Sequence, residues 1–353
     1  MKTRRMSWNR TAEAPSCPKL FLAMEYPLVS AIVLCYNQGR FVTECLEGVK
    51  AQNYPNLEVI VNDDASRDDS AAVIQAWLSR SEIPNRFIRN QTNQGLCRSL
   101  NNAISQARGK YIAGIAADDV WIPGKLLNHV QKMESLPEKV GVLYTDALQM
   151  DEAGKLLEGR FIETYRQFEQ RPQGDIHKVL WEGNFIPAMT TLIRRACYEK
   201  VGLFDESLYY EDWDMWLRIS RCFDFSYMDE VSAKYRIVPT SMMQSQGNRM
   251  IDAGCQVCYK HLISGELEPE AKAAAAFRFY NYAICSYERN TVSHKRHLLG
   301  AFRFRPTPGL GLRCLLALCS IGSEKFAGVR RFFQGGDSSK NLSSKAHSSF
   351  GRA

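Results

Sequence analysis

The sequence has no long hydrophobic run. The longest apolar stretch near the C-terminus, Cys314 to Gly322, has nine residues, whereas a membrane-spanning helix needs roughly 20. Residues 1–26 are polar and basic and lack a continuous apolar segment, so we interpret them as a disordered leader and not as a secretory signal. These absences argue against a transmembrane or secreted protein and favour a cytoplasmic one.

Cysteines at metal-binding spacing are also scarce. The chain has 11 cysteines, and an odd, scattered set suits a reducing cytoplasm better than a disulfide framework. Cys255 and Cys258 form a single CxxC in a segment of helical composition, and no second CxxC or histidine pair follows at zinc spacing. We therefore expect most cysteines to be small core residues.

The net charge of +7 is unevenly distributed. His294 to Ala353 contains 11 Lys or Arg and only two acidic residues, beside apolar clusters such as LLGAFRF and GLRCLLALCSIG. Basic residues next to apolar ones suit an anionic membrane surface, and a solvated tail packed on the domain is the alternative. Because no recognition motif accompanies the charge, we do not expect nucleic-acid binding.

The hydrophobic pattern predicts alternating strands and helices. Val29 to Tyr36 is a continuous apolar run of the kind found in buried parallel strands. Further strands are predicted at 57–61, 86–89, 111–115 and 188–193, helices at 39–50, 66–80, 99–107 and within 250–300, and a loop at 155–180. This alternation predicts an α/β fold with a mainly parallel sheet flanked by helices.

Two pairs of carboxylates follow predicted strands. Asp63 and Asp64 end the run LEVIVNDD, and Asp118 and Asp119 end YIAGIAADD. In open α/β sheets, ligands bind at the carboxyl ends of the strands, so both pairs should face one cleft. We expect one pair to hold a nucleotide and the other to hold a metal on its phosphates.

Five blocks in one order resemble the family 2 glycosyltransferases of the GT-A fold, over about Pro27 to Met242. The blocks are VSAIVLCYN, NDDASRDDS, NQGLCRSLNNAISQARGKYI, AADD and GLFDESLYYEDWDMWLRI. The resemblance implies a Rossmann-like nucleotide-diphospho-sugar transferase domain with a C-terminal helical extension. We accordingly divide the chain into the leader 1–26, a GT-A domain 27–245, a helical extension 246–300 and a basic apolar tail 301–353.

The resemblance also implies roles for individual residues. Asp212 is expected to be the catalytic base, with Glu211 beside it, and Asp119 is expected to bind Mn²⁺ or Mg²⁺. The nearby Trp213, Trp216 and Leu217 stand at helical spacing and should bury one face of the helix that carries both acids. The residues expected to bind the donor are Tyr36, Asn37, Asp63, Asp64, Arg98 and Asp118, although Arg98 also fits an ordinary surface arginine.

Three positions depart from the family pattern. Ala116 stands where the metal motif often begins with another Asp, and Ala65 replaces the usual Gly of DDGS. Val238 stands where a histidine often follows Tyr235 and Arg236. Metal binding should therefore rest on fewer carboxylates, the Ala65 change should be mild, and the histidine contact should be absent or supplied elsewhere.

These observations predict an inverting, metal-dependent hexosyltransferase. Its donor would be a nucleotide-diphosphate sugar, with a pyrimidine base favoured. Its acceptor would be a glycan or lipid-linked saccharide, used in polysaccharide synthesis at the inner face of the cytoplasmic membrane.

Two alternatives to this prediction remain. One is a sugar nucleotidyltransferase, although CYNQGRF offers a single glycine where a glycine-rich triphosphate loop is needed. The other is a non-catalytic member that binds a nucleotide sugar or a partner enzyme. The presence of both Asp119 and Asp212 argues against it, because a scaffold has no chemical need for either.

Overall fold

The computed structural model describes residues 26–209, 211–238 and 247–319. Almost all of the predicted leader and the part of the predicted tail beyond Cys319 lie outside the described residues. Nine strands occur in the described part: β1 Val29–Cys35, β2 Leu57–Asp63, β3 Asn85–Arg89, β4 Tyr111–Ala116, β5 Val120–Trp121, β6 Val140–Met150, β7 Leu156–Arg160, β8 Leu192–Arg194 and β9 Asp224–Arg236.

Helices connect and cover these strands. In the described ranges they are α1 Gly39–Lys50, α2 Ser70–Leu78, α3 Leu96–Gln106, α4 Lys125–Glu134, α5 Phe161–Tyr165, α6 His177–Trp181, α7 Arg195–Val201, α8 Glu211–Ile219, α9 Gly247–Ser264, α10 Pro269–Glu288, α11 His294–Phe304 and α12 Pro308–Leu318. The predicted helical extension thus begins at Gly247, and its helices continue past residue 300 as far as Leu318.

All nine strands belong to one sheet in the order β3-β2-β1-β4-β8-β6-β9-β5, with β7 paired to β6. The first half is parallel, because β1 pairs in parallel with β2 and β4, and β2 pairs in parallel with β3. The second half is mixed, since β8 is antiparallel to both neighbours while β6 and β9 are parallel. The predicted α/β class is confirmed, and the carboxyl ends of β1, β2 and β4 share one edge.

The strands β1 and β2 are buried on both faces, as their continuous apolar runs predict, whereas β3 is partly exposed. Val33 of β1 packs in a core with α1, α2 and α4, while the adjacent Ile32 packs in the opposite core. That second core also contains Cys255 of α9, Phe279 of α10 and Leu298 of α11. The helical extension therefore shares its core with the sheet.

Two local predictions are wrong. Residues 155–180 are not a loop, because β7, α5 and α6 lie there. Strand β7 is an exposed edge strand, and helices of five residues are too short to show a 3.6-residue period. The strand predicted at 188–193 begins only at Leu192, after the 3₁₀ turn Ala188–Thr190. Thr190 and Thr191 donate side-chain hydrogen bonds to the carbonyl groups of Pro187 and Ala188, which favours the turn.

Candidate active site

The loops that leave β1 and β2 are held together by short polar side chains. Ser66 receives a hydrogen bond from the Asn37 backbone N–H at 2.9 Å, and the Ser66 hydroxyl in turn donates to the Asp63 carboxylate. The Asn37 side-chain oxygen accepts from the Arg67 backbone N–H at 2.8 Å. Asp63 and Asn37, both predicted to bind the donor, therefore fix the shape of this edge of the cleft. Tyr36, which was also predicted to bind the donor, follows β1 directly and is 43% exposed.

One residue in these loops has a strained backbone. Ala65 has φ 61°, in the left-handed region that favours glycine. For a residue with a Cβ atom, this conformation costs roughly 1–2 kcal/mol. Ala65 in place of the usual Gly therefore carries a backbone cost that composition does not reveal.

The Asp64 carboxylate holds the start of α3. It accepts hydrogen bonds from the backbone N–H groups of Gln94 at 2.7 Å and Gly95 at 2.9 Å, and from the Asn90 side chain at 2.8 Å. A carboxylate can accept about four hydrogen bonds, so these three contacts leave room for one more, for example from an N–H group of a nucleotide base. Asp64 is only 6% exposed, so such a contact would come from the cleft side.

Arg98 lies on the first turn of α3 and is engaged within the protein. Its Nε donates to the Glu206 carboxylate at 2.9 Å, and one terminal nitrogen donates to the Gln94 side chain at 3.1 Å. Glu206 precedes α8, so this exposed ion pair joins α3 to the segment that carries the expected base. Arg98 therefore has a structural role in addition to the predicted donor contact.

Asp118 and Asp119 form the second carboxylate pair, directly after β4. Asp119 is 3% exposed, and its Oδ1 accepts the Arg236 backbone N–H at 2.9 Å. Burial raises the pKa of the Asp119 carboxyl well above its usual range, and the neighbouring Asp118 charge raises it further. Burial also raises the pKa of Asp118. Two carboxylates that destabilise each other's charge in this way favour a bound cation.

Arg236, at the end of β9, is a positively charged residue that contacts both aspartates. Its guanidinium donates to the Asp118 carbonyl at 2.8 Å and forms an ion pair with Glu44 of α1. Further donor groups reach the carbonyls of Asp151 and Glu152. Arg236 therefore joins four chain segments at the edge of the site, and its charge is shared with Glu44.

The side chains at this site supply only some of the ligands that a divalent cation needs. Among residues 26–209, 211–238 and 247–319, no group of three or more His, Cys, Asp or Glu residues is arranged to hold a metal ion. In that same part of the chain, Asp119 Oδ2 accepts no hydrogen bond, so this oxygen is available as a ligand. Mg²⁺ commonly binds through one or two carboxylates together with substrate phosphates and water. Asp118 and Asp119 fit a cation of this kind.

Glu211 and Asp212 begin α8. The Asp212 carboxylate accepts hydrogen bonds from the Asn184 side chain at 2.9 Å and from the Trp213 backbone N–H at 2.6 Å. Burial raises the pKa of Asp212 to about 6. Burial, and then the Asp212 charge, raise the pKa of Glu211 to about 8. Because the Asp212 carboxylate accepts two hydrogen bonds that stabilise its charged form, it is the member of the pair better suited to accept a proton.

Helix α8 is anchored by its buried side. Trp213, Trp216 and Leu217 are almost fully buried, as predicted, but Asp214 and Met215 between them are buried as well, so burial of α8 is not confined to one face. The Trp213 indole N–H donates to the Leu180 carbonyl of α6 at 2.8 Å. Cys97, at the start of α3, donates to the Leu208 carbonyl at 3.2 Å, which places the segment before α8 beside the helix that Asp64 holds.

Asp214 is a third acid of α8 that the sequence analysis missed. It is fully buried and contacts Arg218 Nε at 2.9 Å, Lys260 Nζ at 2.9 Å and His261 Nε2 at 2.9 Å. Hydrogen bonds and positive charges from these partners hold the pKa of Asp214 well below its usual range. Because Lys260 and His261 lie on α9, Asp214 fastens the helix of the expected base to the helical extension.

Comparison with known proteins finds a family that matches about half of the chain. The model of the family described as Glycosyl transferase family 2 matches residues 30–202, which include both strand-end carboxylate pairs but not Glu211 and Asp212. An uncharacterized glycosyltransferase of Rickettsia prowazekii is 28% identical over 247 residues, covering 70% of this chain and 73% of the relative.

Solved structures share the fold at low sequence identity. Residues 1–349 of TarS from S. aureus, in complex with UDP, superpose with a TM-score of 0.60 at 15% identity, covering 90% of this chain and 94% of TarS. The same protein with UDP-GlcNAc gives 0.56 at 18% identity, covering 83% and 80%. The mannosyltransferase PcManGT from Pyrobaculum calidifontis, with GDP-Man and Mn²⁺, gives 0.56 at 17% identity, covering 83% and 79%. Together, these matches support a family 2 glycosyltransferase, and its fold is that of the GT-A glycosyltransferase structures.

Proposed function

We propose that this glycosyltransferase inverts the anomeric centre, transferring a sugar from a nucleotide diphosphate to an acceptor hydroxyl with the help of a divalent cation. The main observation behind the proposal is that the two acid pairs lie on different elements and suit different roles. Asp118 and Asp119 lie at the end of β4 and favour a cation. Asp212 lies on a separate helix, where hydrogen bonds from Asn184 and the Trp213 backbone stabilise the carboxylate form that a base needs.

The proposed reaction is a direct displacement. Asp212 takes the proton of the acceptor hydroxyl as its oxygen attacks the anomeric carbon, and the bond to the diphosphate breaks on the opposite face. Asn184 donates to one oxygen of Asp212 and so orients the carboxylate and stabilises its charged form. A divalent cation on Asp119 and Asp118 would supply the positive charge that offsets the leaving diphosphate.

The donor is proposed to be a pyrimidine nucleotide sugar, with a hexose or hexosamine as the sugar. Complexes of TarS with UDP and UDP-GlcNAc support this choice, although PcManGT was solved with GDP-Man. In this chain the nucleotide would lie over the loops after β1 and β2, against the exposed ring of Tyr36 and near Asp64. Asp118, on the same edge, would face the ribose.

The acceptor is proposed to be a glycan or lipid-linked saccharide at the inner face of the cytoplasmic membrane, as in polysaccharide synthesis. The composition of the C-terminal sequence supports a peripheral contact with the membrane. The sequence from His294 onward is rich in Lys and Arg beside apolar clusters. In the ranges that the structure describes, no helix is long and apolar enough to cross a membrane.

Slow donor hydrolysis by the purified full chain tests the proposal. A panel of nucleotide sugars would be offered with Mn²⁺, with Mg²⁺ and with chelator, and released nucleotide would be measured. We expect turnover of one nucleotide class that needs the cation, is lost in Asp119→Ala and falls by a factor of about 100 or more in Asp212→Asn, the loss expected for a general base. Asp229→Asn, at an exposed aspartate that pairs with Arg160, is the matched control and should behave as the wild type.

Three results would contradict the proposal. Turnover that is unchanged by chelator would remove the role of the cation. Equal activity of Asp212→Asn and the wild type, measured with a competent acceptor, would remove the base. Failure to bind or turn over any donor, even with cation and a crude lipid acceptor, would favour the non-catalytic member instead.

A further inference from the structure

Helices α11 and α12 expose apolar side chains on the side that faces away from the core. Their inward residues, such as Leu298 and Leu310, are fully buried. The outward residues are 38–62% exposed, which is unusual for leucine and phenylalanine at neighbouring positions. We call this set the α11–α12 surface: Leu299, Phe302, Leu312, Leu315 and Leu318.

The two helices present these side chains side by side. A Cβ atom added to Gly311 of α12 would lie 3.3 Å from Cε2 of Phe302 on α11, so the phenylalanine ring rests on the second helix. Helix α12 begins firmly at this point, because the Thr307 hydroxyl accepts the Leu310 backbone N–H at 3.2 Å and Pro308 occupies the first turn. The exposed leucines are therefore held on a regular helix next to Phe302.

The charge around this surface has one sign. From His294 to Cys319 the sequence contains five Lys or Arg residues and no Asp or Glu. Arg296, Arg303 and Arg305 are exposed, and the Arg305 guanidinium lies 4.7 Å from the ring centre of the half-exposed Phe277. Long basic side chains that cover apolar rings can extend toward a charged interface while their stems stay in apolar surroundings.

We propose that the α11–α12 surface docks the protein on an anionic phospholipid bilayer. Apolar side chains flanked by arginines match a bilayer, whose interface offers hydrocarbon beside negatively charged headgroups. The sequence beyond Cys319 adds six more Lys or Arg and only two acidic residues, which strengthens the attraction. Docking itself does not depend on the donor chemistry. Its use, to bring the cleft to a lipid-linked acceptor, rests on the proposed function.

Vesicle co-sedimentation of the full chain tests the docking. Vesicles of phosphatidylcholine alone would be compared with vesicles that also contain phosphatidylglycerol. We expect binding to the anionic vesicles, weakened by salt. Replacing Arg296, Arg303 and Arg305 together with Gln should reduce the partition coefficient roughly 100-fold, since each basic residue near such a surface contributes about 1 kcal/mol.

The apolar contribution is tested with a matched pair of variants. Leu312→Ser with Leu315→Ser should weaken vesicle binding about 10-fold or more, because both side chains would enter the bilayer interface. The control is Leu156→Ser with Leu157→Ser, at similarly exposed leucines of β7, and it should bind as the wild type. Thermal unfolding of each variant verifies that the fold is kept.

Several results would overturn the proposal. They are failure of the wild type to bind anionic vesicles, equal binding by the two leucine pairs, or a wild-type dimer in sedimentation that Leu312→Ser with Leu315→Ser converts to a monomer. The last result would assign the surface to a second copy of the chain. Donor hydrolysis measured on the same samples separates the docking proposal from the proposed function. Vesicle binding without donor turnover would contradict only the proposed function.

Discussion

Replacing Asn184 should shift the pH dependence of transfer. The Asn184 side-chain N–H donates to the Asp212 carboxylate at 2.9 Å and stabilises its charged form. A hydrogen bond to a charged group contributes about 1.5–3 kcal/mol. Since one pKa unit corresponds to about 1.4 kcal/mol, loss of this bond should raise the pKa of Asp212 by roughly one to two units. The starting pKa is about 6.

The assay is the pH dependence of kcat/KM with a competent donor and acceptor. The base must be unprotonated, so activity falls as pH decreases through the pKa of Asp212. In Asn184→Leu this acid limb should move to higher pH by roughly one to two units, with activity largely recovered in alkali. Unlike leucine, aspartate at position 184 keeps an acceptor for the Ile186 backbone N–H. Its added negative charge beside Asp212 should move the acid limb to higher pH at least as far as in Asn184→Leu.

A matched amide provides the control. Asn128 donates to the Glu230 carboxylate at 3.2 Å on an exposed part of the molecule, and Asn128→Leu should leave the acid limb unchanged. An acid limb that stays in place in folded Asn184→Leu and Asn184→Asp would refute Asp212 as the titrating base. A limb that moves to lower pH would contradict the assigned sign of the interaction.

Three further predictions concern stability. Ala65→Gly should stabilise the protein by about 1 kcal/mol in denaturant unfolding, since φ 61° suits glycine, and a loss of stability would contradict the strain at this position. Burial lowers the pKa of Lys125 from 10.5 to about 7, so over that range the unfolded chain binds a proton that the folded chain lacks, and stability should rise with pH. Lys125→Met should flatten this dependence, and an unchanged slope would count against it. Asp214→Asn should cost about 3 kcal/mol, because the mostly buried Arg218 loses its counter-charge, whereas Lys260 keeps Asp205 at 2.8 Å. It should also lower kcat more than it changes KM, and full activity and stability would argue against the link between α8 and α9.

The parallel half of the fold and its acid pairs were predictable because their signals are local. The apolar run of β2 ends at Asp63 and that of β4 ends just before Asp118, so the strand ends and the carboxylates that follow them are read from consecutive residues. The burial of the apolar residues of α8 was predictable for the same reason, but the burial of Asp214 among them was not.

The partners of these acids were not predictable because they come from distant positions. Asn184 reaches Asp212 from a segment without periodicity, 28 residues away, and Arg236 reaches Asp119 across 117 residues. Asp214 meets His261 across 47 residues and looks like an ordinary helix acid in the sequence. Side-chain pairing between elements depends on how the elements pack, which a local pattern does not contain.

The charges around Arg236 bear on how a site with few carboxylates would bind the proposed cation. Asp118, Asp119 and Glu44 contribute three formal negative charges, and Arg236 contributes one positive charge, so this cluster carries a net charge equal and opposite to that of one divalent ion. Arg236 cannot replace the ion, because its guanidinium is held by Glu44 and by the carbonyls of Asp118 and Glu152. Ala116 and Val238 leave two ligand positions of the family pattern without a metal-binding side chain. The remaining ligands of a cation must then come from the diphosphate and water, which makes cation binding depend on the donor.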